Sequence, residues 1–276
     1  MSSTESIVFG IVIGVLAYSI QNIGKGIQKY AIEGLKKDKK IKSKSSGIWI
    51  LGTILTSLYL FIQWLALLFA PINAIAPLES VGLIVFILFS YFVLKEGISK
   101  LEIVGIIFIL IGIVLVTFFN INPSTLNSVD INLVNLIIFI IPLLIAEIIG
   151  ILLSRSKGYR GAGFILGITG GTLMALQTVS KRITAVPDVN LTILFSILTM
   201  VFAIGSLLST QLAFAKSKAN RVVPFFIPTS ILLAIVTGYF ALSEVINLFQ
   251  IGGILLVLIG VGLLSGFRDE SERESS

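Results

Sequence analysis

The sequence predicts an all-α, multi-pass membrane protein of about nine transmembrane helices, built as two inverted-topology repeats joined by a connector helix. Of its 276 residues, 56% are hydrophobic and only 12% are charged, and the mean hydropathy is +1.05. Soluble domains carry about 25% charged residues. The apolar residues form runs of about 20, the length at which a helix crosses the hydrocarbon core of a bilayer.

Nine apolar runs define the predicted helices, which we number 1 to 9 in chain order. They cover about 7–30, 48–70, 72–93, 101–120, 131–153, 161–185, 190–215, 222–242 and 246–267. The N-terminal MSSTES lacks a positively charged region and an A-x-A cleavage site. We therefore expect helix 1 to be retained and not removed as a signal peptide. Residues 269–276 form a polar tail.

Lysine and arginine predict the orientation of these helices. If nine helices alternate, the basic residues of the connections and the tail fall on one side of the membrane: Lys36, Lys37, Lys39, Lys40, Lys42, Lys44, Lys95, Lys100, Arg155, Lys157, Arg160, Lys216, Lys218, Arg221, Arg268 and Arg273. The opposite connections, PINA, NINPSTLNSVD, VPDVN and SEVIN, contain none. The positive-inside rule then predicts an outside N-terminus and a cytoplasmic C-terminus in the plasma membrane.

A duplicated phrase indicates two related halves. YFVLKE at 91–96 returns as YFALSE at 239–244, and the longer stretches 91–112 and 239–260 agree at half of their positions. Five identities remain without Ile and Leu: Tyr91/Tyr239, Phe92/Phe240, Glu96/Glu244, Gly105/Gly253 and Gly112/Gly260. The first repeat covers 1–120, the connector 121–160 and the second repeat 161–268. Corresponding helices are an odd number of spans apart, so the halves have opposite orientations, as in many secondary transporters.

The composition excludes several function classes. The chain has no cysteine and no histidine, so it has no disulfide, no Ser–His dyad and no H-E-x-x-H metalloprotease site. Its four aspartates lie in loops or the tail, which argues against an intramembrane aspartyl enzyme. There is no phosphate-binding loop for ATP. We expect no enzyme activity and no cofactor; the net charge of +6 belongs to loops facing anionic lipid and not to nucleic-acid binding.

Two carboxylates lie well inside predicted helices, Glu79 in helix 3 and Glu147 in helix 5. A carboxylate in hydrocarbon is costly unless it is paired or hydrated, which makes both residues candidates for substrate binding. Glu79 is also the tentative metal ligand. Because the chain has no histidine and no cysteine, any metal would be bound by oxygen ligands, which suit hard cations such as magnesium. The alternative role for Glu79 is a structural pair with a lysine of helix 1 or 6, and for Glu147 a packing contact.

A Gln-x-x-x-Lys pattern occurs once in each half. Gln21 and Lys25, beside Asn22, lie late in helix 1, and Gln177 and Lys181 lie late in helix 6. Such a polar stripe should face the bundle interior or a water-filled path, although long lysines also snorkel to the headgroups. A second repeated pair, Gln63 and Gln211, can either line the site or form interhelical hydrogen bonds.

Glycines recur on one face of helices 4 and 9. Gly105 and Gly112 share a face of helix 4, and Gly253 and Gly260 share the corresponding face of helix 9. Small residues permit close helix packing. We interpret these faces as surfaces for helix packing, and a homodimer that packs through helices 4 and 9 is possible.

The stretch FAPINAIAPLESVGLIVFILFSYFVLKE, at 69–96, resembles the NIPA-like branch of the drug/metabolite transporter superfamily, with its FAP, its PL and its Tyr-Phe-Leu-x-Glu-like helix end. The lysines late in helices 1 and 6, the nine-helix count and the inside C-terminus also fit that branch. The resemblance implies a multi-pass transporter, with magnesium for NIPA-like members and small organic solutes for EamA-like relatives. Glu79 departs from the pattern, because the branch usually has a small residue there.

The predicted function is secondary transport by alternating access, with the lipid bilayer and a small solute as the partners. A divalent cation such as magnesium is the leading substrate, on the strength of the resemblance and the buried carboxylates. An organic metabolite bearing a carboxylate or phosphate is the alternative, favoured by the two repeated lysines. A receptor or assembly protein that transports nothing is the remaining rival.

Overall fold

A computed structural model describes residues 3–37, 42–94, 99–119, 126, 130–156, 162–216 and 219–266. Within these ranges the regular structure is all helical, and nine helical segments coincide with the nine apolar runs. We number them α1 to α9, so that each keeps the number of its predicted helix. Eight are continuous: α1 Ser3–Lys37, α2 Lys42–Phe69, α4 Lys100–Phe118, α5 Leu133–Ser156, α6 Ala162–Ile183, α7 Val189–Lys216, α8 Ala219–Ala241 and α9 Leu248–Gly266.

The third segment, α3, is broken into four pieces that lie end to end. These are the short α-helix Ile72–Ile75, the 3₁₀ turn Ala76–Leu78, the α-helix Glu79–Phe89 and the π-helical end Ser90–Leu94. Pro71 precedes the first piece, and Pro77 lies in the 3₁₀ turn. Because proline has no N–H to donate, it favours such a break. The single helix predicted over 72–93 is therefore irregular in its first half.

Helix packing places the first half of α3 at the centre of the molecule. Every residue from 72 to 80 is buried, and in the 18-residue apolar window of Ile72–Val93 72% of the residues lie inside the protein, against 11% in the window of Leu133–Ser156 in α5. Helix α1 packs against α2 and α3, α6 packs against α7 and α8, and α4 packs against α9. The connector helix α5 is thus peripheral, and α3 touches both groups.

The glycine faces of α4 and α9 meet within one chain. A Cβ atom on Gly112 would lie 2.5 Å from the carbonyl oxygen of Gly253, and one on Gly260 would lie 2.6 Å from that of Gly105. Only residues without a side chain allow the two backbones to approach so closely. This intrachain contact occupies the faces that the sequence analysis offered to a dimer; homodimerisation itself stays a prediction.

Polar side chains cap the helices that follow the connections without lysine or arginine. Asn132 accepts the N–H of Asn135 at the start of α5, and Asp188 accepts that of Leu191 at the start of α7. At the start of α9, Asn247 and Gln250 bond each other's backbone N–H groups, which forms a reciprocal capping box. These caps fix where the helices begin.

Five of the helical spans are long and apolar enough to cross a membrane: Glu5–Gln28, Ser46–Phe69, Ile72–Val93, Leu133–Ser156 and Val189–Thr210. Shorter apolar helices are Ile103–Val116, Phe225–Ala241 and Leu248–Leu263. Large apolar side chains are exposed along the outer faces of α5 and α7, where lipid would cover them. The arrangement is that of a multi-pass membrane protein. Helix α6 is more polar, and it carries the residues discussed next.

Candidate functional site

Lys181 lies near the end of α6 with its side chain fully buried, at 0% exposure. Its ammonium nitrogen Nζ donates to Oε1 of Gln63, on α2, at 2.6 Å. The Nζ atom also lies 5.0 Å from the centre of the Tyr59 ring, a cation–π distance. A residue late in the chain thus reaches a polar group of α2 in the interior; a role for Lys181 in substrate binding stays a prediction.

Gln63 connects this lysine to the aromatic residues of α1 and α2. Its amide nitrogen donates to the Tyr18 hydroxyl at 2.8 Å and to the Thr178 hydroxyl at 3.2 Å. The rings of Tyr18 and Tyr59 pack 5.3 Å apart. Tyr18 belongs to the polar stripe of helix 1 that carries Gln21 and Lys25, whereas Tyr59 and Thr178 were missed in the sequence because each is an ordinary residue of an apolar run. Their depth in the bundle depends on packing between distant helices.

Glu79 begins the main α-helical piece of α3 and is 4% exposed. The Ser230 hydroxyl, on α8, donates to its Oε2 atom, whereas Oε1 has no hydrogen-bond partner. The break at Pro77 ends the first turns of α3 and sets the carboxylate at the start of the following helix, where the helix dipole favours negative charge. Glu79 therefore joins the two halves through Ser230.

Lys25 on α1 is the cation that acts electrostatically on Glu79. No ion pair within 4.0 Å joins them in the described ranges, and the Lys25 ammonium lies 5.9 Å from the centre of the Phe226 ring on α8. Glu79 also acts on the Tyr18 and Tyr59 hydroxyls. Contacts join Lys181, Gln63 and the two tyrosines, and electrostatic interactions relate Glu79 and Lys25 to them; we call these residues the central polar group.

A second buried cluster lies at the end of α6. Arg182 donates to the carbonyl oxygen of Leu67 at 2.9 Å and lies 3.8 Å from the Glu244 carboxylate, measured between Nε and Oε1. Glu244 also accepts the backbone N–H groups of Ile72 and Asn73, at 2.9 and 3.1 Å. The repeated glutamate of YFALSE thus caps the start of α3. Arg182 was overlooked in the sequence, although its position beside Lys181 in a helix end was a usable signal.

Comparison with known proteins gives one informative relative. Over 96 residues the chain is 30% identical to a protein of Proteus mirabilis (strain HI4320) described as a probable 4-amino-4-deoxy-L-arabinose-phosphoundecaprenol flippase subunit ArnE. The match covers 34% of this chain and 85% of that protein. The chain belongs to the drug/metabolite transporter superfamily. No protein-family model and no solved structure matches this member of the superfamily.

Other residues predicted for the site of this transporter lie near the central polar group or apart from it. Asn22 is buried beside Tyr18, whose carbonyl oxygen accepts its amide at 2.9 Å, and it contacts Gly82 of α3. Gln21 is buried with its Oε1 atom unpartnered, and Gln177 is buried on α6. The side chain of Gln211 lies outside the part of the chain that the structure describes.

Glu147 lies away from the central polar group. It is buried between α5 and α6, where the Thr172 hydroxyl donates to its Oε1 atom. Its contacts are with the connector and a single neighbouring helix, and no residue of the first half reaches it in the described contacts. The structure therefore does not bring Glu147 together with the other candidate residues.

The structure shows no cluster of acidic ligands at the tentative metal site of Glu79 among the residues that it describes. Among the described residues, no group of three or more His, Cys, Asp or Glu side chains could hold a metal ion. The Lys25 ammonium acts electrostatically on Glu79, and a positive charge there would repel a cation. The one described hydrogen bond to the Glu79 carboxylate comes from the Ser230 hydroxyl, whereas a hard divalent cation takes about six or more oxygen ligands.

Proposed function

We propose that this chain is a secondary transporter that carries a small organic solute by alternating access. The support is its membership of the superfamily together with a flippase subunit as a relative. The observation that carries the proposal is the bond from Lys181 in the second half to Gln63 in the first half, inside a polar group that both halves build. Transporters of this kind hold their substrate near the midplane, between such halves.

The proposed halves are inverted repeats, helices 1–4 and 6–9. Their packing supports this, since α1 with α2 and α3 repeats as α6 with α7 and α8. The glycine contacts between α4 and α9 support it too. In the proposed repeat Gly105 corresponds to Gly253, and Gly112 corresponds to Gly260. Replacing each glycine by its counterpart converts the observed Gly112–Gly253 contact into the other observed contact, Gly260–Gly105. A two-fold axis that relates the halves has this property, and the odd number of spans between corresponding helices would place that axis in the membrane plane. The relative, matched over 85% of its length by 96 residues, is about the size of one half.

The orientation proposed for the plasma membrane has the N-terminus outside and the C-terminus in the cytoplasm. The distribution of lysine and arginine supports it. Arg182 lies at the opposite, outside end of α6, but it is buried beside the Glu244 carboxylate, so it does not add positive charge to an outside loop. A chain with this design moves a solute and makes no covalent change to it, so the proposal includes no enzyme activity.

Magnesium transport and the NIPA-like branch receive no support from the relative, which is named as a flippase subunit. The setting of Glu79 also argues against a divalent cation, because a lysine acts electrostatically on it and no cluster of acidic ligands surrounds it among the described residues. The EamA-like alternative, a carrier of an organic metabolite, is therefore the function we propose. Magnesium remains in the experiment as a comparison ligand.

The experiment is a stability screen followed by flux measurements. Purified protein is heated with organic acids, sugar phosphates, amines and magnesium chloride at one ionic strength, and solutes that raise the melting temperature are loaded into proteoliposomes. The proposal predicts saturable counterflow of at least one organic solute. Saturable magnesium flux without organic counterflow would replace it with the cation carrier. Absence of flux for every stabilising ligand would favour a receptor.

A further inference from the structure

We infer that Lys181 and the tyrosines beside Gln63 form a binding site for an anionic group, a carboxylate or a phosphate, on the transported solute. The inference rests on the proposed function and names the substrate class of the same central polar group. It depends on an imbalance between hydrogen-bond donors and acceptors around one fully buried ammonium.

Most of the hydrogen-bond donors of Lys181 have no acceptor in the described part of the chain. An ammonium carries three N–H donors, and Lys181 uses one of them, toward Gln63. The Gln63 amide already donates to the hydroxyls of Tyr18 and Thr178, so it has no donor left. The Tyr59 hydroxyl has no hydrogen-bond partner of ordinary geometry, although it lies beside that of Tyr18. A bound anion would supply the missing acceptors.

The charge is as poorly balanced as the hydrogen bonds. No carboxylate lies within 4.0 Å of the Lys181 ammonium in the described part of the chain, and its neighbours are a neutral amide and an aromatic ring. Burying an ammonium without a counter-charge is strongly unfavourable. Arg182, the next residue, lies beside a carboxylate and bonds a carbonyl oxygen. Of these two adjacent cations, Arg182 therefore has a carboxylate beside it and Lys181 has none among the described residues.

Gln63 occupies the position that the anion would take. Its Oε1 atom is an uncharged acceptor in contact with the ammonium, so an incoming carboxylate or phosphate oxygen would compete for the same donor. Because Gln63 and Lys181 lie in different halves, that exchange would also break a hydrogen bond between the halves. Binding of the anion is thereby linked to the contact that alternating access must change.

A substitution at Gln63 tests whether the site lacks an anion, because the two alternatives predict opposite changes in melting temperature. In the variant Gln63→Glu the site receives its own carboxylate, opposite Lys181. If the site lacks an anion, the variant melts at a higher temperature than the wild type and no longer responds to added anions. If the site is a neutral structural contact, an extra buried carboxylate lowers the melting temperature.

The test uses purified full-length protein in micelles, with melting followed as inorganic phosphate or succinate is added at constant ionic strength. Choline and glycerol are the cationic and neutral comparison probes. We expect phosphate or succinate to raise the melting temperature of the wild type. In Lys181→Gln the anion concentration needed for the same rise should increase at least about tenfold. Lys181→Arg should keep part of it. The matched control is Lys100→Gln, which removes the same charge from an exposed helix end and should respond like the wild type.

The outcomes separate this inference from the proposed function. An equal response of Lys181→Gln and wild type, or a lower melting temperature for Gln63→Glu, would overturn the anion site. Counterflow of a neutral or cationic solute alone would also overturn it while leaving the transporter intact. Lys181-dependent anion binding without any flux would instead keep the site and overturn the transporter. Phosphatidylglycerol added to the micelles tests a headgroup as the source, and a Lys181-dependent response to it alone would keep the anion site.

Discussion

The contact between α4 and α9 can be tested by adding a single methyl group. Gly252 and Gly253 are neighbours on α9, yet a Cβ atom on Gly252 meets nothing within 4 Å, whereas one on Gly253 would lie 2.7 Å from the Gly112 carbonyl oxygen and 2.8 Å from a Val116 methyl group. Both alanine variants gain the same helix propensity, about 1 kcal/mol in water. Any difference between them therefore reports the contact between the two helices.

The size of the difference follows from the distances. Carbon atoms pack at about 3.5–4.0 Å, so Gly253→Ala must move the helices apart by roughly 1 Å. Forcing an extra methyl group into a packed contact typically costs about 1–3 kcal/mol. We expect Gly253→Ala to unfold with a free energy lower than that of Gly252→Ala by this amount. The measurement is unfolding in mixed micelles titrated with sodium dodecyl sulfate. Equal stability of the two variants would refute the glycine-to-glycine packing.

Three further predictions concern the cluster at the end of α6, the central polar group and the topology. Glu244→Ala should cost about 3–5 kcal/mol in the same unfolding assay, because Arg182 loses a buried carboxylate, and Glu244→Gln should cost less because it keeps an acceptor for the α3 N–H groups. Glu79→Gln should abolish solute counterflow and leave the melting temperature nearly unchanged, since Ser230 can still donate to the amide oxygen; recovery of counterflow after adding Lys25→Gln would show that Glu79 only balances that lysine. Terminal tags should report the N-terminus outside and the C-terminus inside, and a cytoplasmic N-terminus would contradict the inverted repeat.

The helices were predictable because each apolar run satisfies its own backbone hydrogen bonds, which is a local property of the sequence. The break in α3 was only partly predictable. Pro77 signals a weak point, but the 3₁₀ turn depends on the packing of 72–80 at the centre of the molecule. The half-buried Lys25 and the buried Glu79 pointed to the candidate site because charge is rare in apolar helices.

The partners of those residues could not be predicted. Ser230 and Tyr59 belong to apolar runs that contain many similar residues, and their positions depend on which helices pack together. Gln63 was proposed as either a site residue or an interhelical contact, and it bonds Lys181 across the two halves. The role of Glu244 as a cap for α3 depends on a contact between residues far apart in the chain. Such pairings become visible only in the folded molecule.

The central claim, alternating access to the central polar group, has a direct test in this chain because it contains no cysteine. A single cysteine at Thr178, which is buried and accepts a hydrogen bond from Gln63, would mark the site. The reagent is a membrane-impermeant maleimide added to right-side-out and to inside-out vesicles, and Ile197→Cys on the apolar outer face of α7 is the unreactive control. The account predicts that Thr178→Cys is labelled from both sides; labelling from only one side, with and without a stabilising solute, would contradict it.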